Sequence, residues 1–226
     1  MPNLPREYHL RRAVQSYEQC GEYRAAAELL AAFGTPTASA EAARRLLILD
    51  DLPAAGEAFL AAQQPRAALE CFRRAGMPAR ELACLQALGD DLAVGTLLLD
   101  LGRVAEAVAP LQRALAQAED RVIQARLHLQ VAHALGDPAG QADYRAGLAL
   151  LPLLPHSAES APVWLALAAW GEAVGRMDRV QEGYAEALRL LDHPSTAAAH
   201  QAALRRYRAA AERMGNRGLV DRLGQS

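Results

Sequence analysis

Residues 50–114 fall into five lines of thirteen: DDLPAAGEAFLAA (50–62), QQPRAALECFRRA (63–75), GMPARELACLQAL (76–88), GDDLAVGTLLLDL (89–101) and GRVAEAVAPLQRA (102–114). Each line opens on a turn residue: Asp50, Gln63, Gly76, Gly89 and Gly102. Nine residues on stands a large apolar side chain: Phe59, Phe72, Leu85, Leu98, Leu111. Twelve on come Ala62, Ala75, Leu88, Leu101 and Ala114. Fixed apolar columns at a fixed period mark a stack of repeated elements. Gly21 and Gly34 keep the spacing, offset by three, so the register breaks once, between Gly34 and Asp50.

Thirteen residues leave room for a helix of ten or eleven and a short turn. A helix about 15 Å long is marginal alone and must lean on its neighbours. Short connections make successive helices antiparallel. Pro65 and Pro78 follow their turns, where a first-turn proline wastes no N–H. Asp51, Asp90 and Asp91 are placed to cap the next helix or favour its positive end. The pattern predicts helices at 6–20, 22–33, 38–49, 53–62, 65–75, 78–88, 91–101 and 103–118. Longer ones follow at 120–135, 139–150, 161–174, 177–191 and 196–214, with a short one at 217–223. Odd-numbered helices are expected on one face and even-numbered ones on the other.

Two textures result. Residues 1–119 form a short-helix stack, and 120–226 form longer hairpins continuous with it. The proline-rich stretch 151–162 is the expected crossover. Leu153 and Leu154 within it are expected to cover a seam between helices.

Composition fits an all-α chain. Alanine and leucine dominate, and Ile occurs only at 48 and 123. All 24 basic residues are arginine. That bias suggests a GC-rich bacterial genome. It also removes a Schiff-base or phosphate-loop lysine. The net charge of −2 gives no general attraction to nucleic acid or membrane. The first residues carry no signal core, and no apolar run reaches the ~20 residues that span a bilayer. A cytoplasmic setting is expected.

Around Gly175 stand Trp164, Leu167 and Ala168, then Met177, Val180, Tyr184 and Ala187. Around Gly102 stand Gly95 and Leu98, then Val104, Ala107, Leu111 and Ala114. Around Gly21 stand Leu10, Val14 and Tyr17, then Tyr23, Ala26, Leu30 and Phe33. This alternation of bulky and small residues about a glycine resembles the tetratricopeptide repeat in degenerate form. Near Gly136, Pro138, Gln141 and Arg145 occupy the second-helix slots and depart from it. The resemblance implies a right-handed α-solenoid of about 13–14 antiparallel helices. It implies a non-enzymatic scaffold or adaptor that holds a protein or peptide segment in its groove. Carried over by position, the groove residues are Arg11, Gln15, Glu18, Gln19, Arg205, Glu212 and Arg213. Trp170, six residues from the core slot of Trp164, is the candidate exposed anchor.

Nothing in the chain reads as an enzyme, a metal centre or a cofactor site. The six histidines, at 9, 128, 133, 156, 193 and 200, lack metal spacing. His156, Ser157 and Ser160 lack a nucleophile elbow. The carboxylate pairs Asp50-Asp51, Asp90-Asp91 and Glu119-Asp120 sit at predicted helix junctions, where capping explains them. Cys71 and Cys84 share a column and read as small buried hydrophobes. The second functional expectation is a nucleic-acid-associated regulator. It rests on six arginines after residue 201, at 205, 206, 208, 213, 217 and 222. Self-association through an open end of the stack is a further expectation.

Overall fold

The computed structural model describes residues 6–224. Residues 1–5, read above for a signal core, and the side chain of Arg222 lie outside the described residues. The described chain is all-helical, and its helices pack in consecutive pairs like a solenoid. It divides into two compact units, 1–90 and 91–226. The thirteen-residue period runs past that boundary to Leu111. Packing and sequence period therefore divide the chain at different places.

The first unit holds α1 (Arg6–Gln19), α2 (Tyr23–Phe33), α3 (Pro36–Ile48), α4 (Leu52–Ala61), α5 (Pro65–Arg74) and α6 (Pro78–Leu88). The second holds α7 (Asp91–Asp100), α8 (Val104–Gln117), α9 (Arg121–Leu135), α10 (Gln141–Leu150) and α11 (Ala161–Ala173). It ends with α12 (Met177–Leu190), α13 (Ala197–Arg213) and α14 (Arg217–Gly224). Short 3-10 turns lie at 151–153, 158–160 and 194–196.

The period has a main-chain cause. Asp50 and Gln63 have φ of 55° and 59°, and Gly76, Gly89 and Gly102 have 64°, 69° and 70°. After each, the next N–H reaches back five residues. The bonds run from Asp51 to Leu46 O, Gln64 to Phe59 O, Met77 to Phe72 O, Asp90 to Leu85 O and Arg103 to Leu98 O. This is the paired hydrogen bonding of a left-handed helix cap, repeated every thirteen residues. Four of the accepting carbonyls belong to the large apolar column and the first to buried Leu46, thirteen residues before Phe59, so one residue both closes the turn and fills the core. Phe72 and Leu111 are fully buried, and Phe59, Leu85 and Leu98 nearly so. The second column is looser, for Leu101 is exposed while Ala62 is buried.

Helix starts follow the acid and proline signals. Asp51 accepts the N–H of Ala54 at 3.3 Å, Thr35 that of Ala38 at 3.3 Å, and Asp120 those of Val122 and Ile123. Asp91 instead begins α7 and pairs with Arg113 at 2.6 Å, which holds its carboxyl below the usual range.

Close helix approach depends on glycine. A Cβ on Gly56 would lie 2.6 Å from the Phe72 ring, and one on Gly95 2.5 Å from Leu111. The α9–α10 turn departs from the rest. It contains a cis Asp137-Pro138 peptide, and Gly136 has ψ of −178°. Helix α10 starts at Gln141, two residues later than the sequence predicts. The hairpin closes through Gly140 against Ala132 O and through Gly147 against Leu129.

Candidate functional site

In the first unit, α1 and α3 form the walls of an open groove of about 880 Å³. Leu10, Val14, Leu30 and Phe33 supply its apolar floor. From α1 come Glu7, Arg11, Gln15 and Glu18, spaced four, four and three, a helical stripe. From α3 come Thr37, Glu41 and Arg44, spaced four and three, with Arg45 next to Arg44. One end is braced: Arg45 Nε donates to Glu18 Oε1 at 2.7 Å, and Arg45 Nη1 donates to Glu41 O at 3.3 Å. The side chains of Arg11, Gln15 and Arg44 make no hydrogen bond or ion pair among the described residues. The groove thus offers two unengaged guanidinium groups, one amide and the Glu7 carboxylate above an apolar floor.

Arg11, Gln15 and Glu18, expected from α1, come together here. Glu18 is a brace rather than a free acceptor. Gln19 is exposed and does not line the groove. The α3 wall was not anticipated. Its signal was present, because Thr37, Glu41 and Arg44 repeat the α1 spacing, but the register break at Gly34–Asp50 hid it.

In the second unit, Arg205 and Glu212 lie exposed on α13. Arg213 is engaged: its Nη2 donates to Glu172 Oε2 at 2.5 Å, and the same carboxylate accepts Tyr184 OH at 3.1 Å. Tyr184 stacks on Tyr207, with ring centroids 4.8 Å apart. Burial and the Glu172 carboxylate push the Tyr184 phenol up.

The expectation for Trp170 is corrected. It is 3% exposed and stacked on Tyr144 at 3.7 Å between centroids, within the core of α9, α10 and α11. Trp164 is the half-buried tryptophan, at the seam toward α12 and α13. Six residues turn a helix by about 240°. The face carrying Trp170 is the one that meets Tyr144, so no exposed anchor exists there. The crossover divides its leucines. Leu154 joins the same core, while Leu153 is 59% exposed.

Three of the six C-terminal arginines are engaged within the fold. Arg208 donates to Leu223 O, Arg213 pairs with Glu172, and Arg206 lies 3.7 Å from Asp100. His128 Nδ1 bonds Asp143 at 2.8 Å, and His193 Nδ1 lies 2.8 Å from Ser195 Oγ. Burial lowers the His133 pKa, and Glu172 acts in the opposite sense. Ser160 is buried and donates to Pro155 O. Cys71 and Cys84 are buried free thiols, and burial raises both. Among the described residues, no group of three or more His, Cys, Asp or Glu is placed to hold a metal ion. No helix among them is long and apolar enough to cross a membrane.

No protein-family model matches the chain, and no curated protein and no solved structure matches it.

Proposed function

We propose that this chain is a tetratricopeptide-like interaction scaffold that holds a segment of a partner protein in the α1–α3 groove of its first unit. The observation that carries the reading is the pairing of an apolar floor with Arg11, Gln15 and Arg44, which have no partner of their own among the described residues. An extended or helical segment would place apolar side chains on Leu10, Val14 and Phe33. Its carboxylates and backbone carbonyls would meet the free guanidinium and amide donors. The arginine-for-lysine composition and free thiols suit a bacterial, cytoplasmic setting.

The nucleic-acid reading has less to stand on. Three of its six arginines are used inside the fold, and Tyr207 is buried and so offers no stacking platform.

Display of a random peptide library against the native protein tests the proposal. Sequences combining apolar and acidic residues should be enriched. An Arg11→Ala/Gln15→Ala/Arg44→Ala variant with native circular dichroism should lose them. Failure to enrich any sequence, or retention of the same peptides by the variant, would overturn it.

A further inference from the structure

The α1–α3 groove has a charge order along its length. Short turns join α1, α2 and α3, which pack in sequence order, so α1 and α3 run in the same direction. The Glu18–Arg45 bond at 2.7 Å ties their C-terminal ends together. Glu7 therefore stands at the end where α3 begins, the end lined by the neutral Thr35, Pro36 and Thr37. A helical rise puts Arg11 about 6 Å along the wall from Glu7, and Glu18 about 16 Å. Arg44 directly precedes Arg45, so it comes about 15 Å from Glu7.

The charges along this line are not equally engaged. Arg45 is held between Glu18 at 2.7 Å and Glu41 at 3.9 Å. Arg11 and Arg44 have no such partner, and Glu7 makes no side-chain hydrogen bond or ion pair among the described residues. All three are exposed. The unengaged charges thus run from one carboxylate to two guanidinium groups. Size bears on the conformation that can meet them. A helix with its side chains is 10–12 Å across, so one lying along this wall would fill roughly 1,300–1,900 Å³. The groove holds about 880 Å³, which suits an extended chain instead.

Taking the groove as the partner site proposed above, we infer that it selects an extended segment of mixed charge, with Glu7 as the residue that sets specificity. One basic residue of the segment meets Glu7. An extended chain rises about 3.3 Å per residue, so acidic residues two and roughly four positions further on meet Arg11 and Arg44. Side chains between them point to the opposite face, onto Leu10, Val14 and Phe33. A segment acidic throughout sets like charge against Glu7 and is disfavoured, which gives the groove discrimination as well as attraction.

Three hexapeptides with both ends capped, titrated into the full chain and followed by two-dimensional NMR, test this. Lys-Leu-Glu-Leu-Glu-Leu carries its cation at the end of the charged row. Glu-Leu-Lys-Leu-Glu-Leu has the same composition with the cation central, where it meets Arg11 whichever way the chain runs. Glu-Leu-Glu-Leu-Glu-Leu has no cation. Binding should shift the Leu10 and Ala40 resonances, which belong to the groove lining. The first peptide should bind about fivefold more tightly than the all-acid one and about tenfold more tightly than the second. In Glu7→Gln the first and the all-acid peptides should come within about twofold of each other. Equal binding of all three to the native chain, or a preference that survives Glu7→Gln, would overturn the inference and leave the groove standing as a partner site. No shift at the groove residues with any of the three would overturn both. The comparison within the native chain decides the matter without the variant.

Discussion

Replacing Gln63 by glycine should stabilise the first unit. Gln63 occupies a left-handed cap at φ 59°, where its register equivalents Gly76, Gly89 and Gly102 have no side chain. An L-residue there costs about 1–2 kcal/mol, because its Cβ crowds the following carbonyl. Removing the side chain relieves that cost. It also frees the unfolded chain, which takes back about 0.4–1 kcal/mol. The Gln63 side chain is exposed and makes no hydrogen bond among the described residues, so nothing else is lost. Its N–H bond to Leu60 O, at 2.9 Å, is main chain and survives. The net gain is about 0.5–1 kcal/mol. For a unit of this size that raises the melting temperature by roughly 2–8 °C. The reciprocal Gly89→Gln should lower it by a similar amount, since a Cβ at Gly89 meets nothing within 4 Å and only the backbone strain acts. Thermal and urea denaturation followed by far-ultraviolet circular dichroism give both numbers. A Gln63→Gly protein no more stable than native, alongside a harmless Gly89→Gln, would refute the argument that the period is a backbone cap.

Three further outcomes follow from the packing. Gly95→Ala should cost about 1–3 kcal/mol in urea denaturation, because its Cβ would fall 2.5 Å from the fully buried Leu111. Trp170→Ala should cost about 3–5 kcal/mol, and in the native protein iodide should quench half-buried Trp164 far more than Trp170. His133 has its pKa lowered by burial, against the opposing pull of Glu172. The unfolded chain therefore takes up its proton first, so stability is full above about pH 6.5 and falls as pH drops below it. His133→Gln should flatten that fall in denaturation curves taken across pH 7 to 5.

Most of the helical plan was legible because each boundary has a local chemical cause. Pro65 and Pro78 sit at the first helical positions, Asp51 and Asp120 cap, and the turn residues all take positive φ. Where packing between distant elements decides, sequence reasoning fell short. The column pattern gave no reason for Tyr144 to stack on Trp170, so the tryptophan's orientation was misjudged. Tyr17 and Tyr23, which the resemblance expects in core slots, are 41% and 50% exposed. The Thr96–Arg126–Gln130 cluster has no periodic signature at all. Arg126 and Gln130 lie one turn apart on α9, but Thr96 belongs to α7, and only the stacking of the helices brings the three together.

The thirteen-residue block has a parity. Short connections between packed neighbours make α4, α5 and α6 alternate in direction, each closed by the same main-chain cap. Loss of the single block 63–75 would carry α6 into the place of α5 with its direction reversed, and every later helix with it. Loss of 63–88 removes an up-and-down pair and leaves every remaining helix on its own side. Length variation in such a chain is therefore quantised in steps of twenty-six residues, although its visible repeat is thirteen.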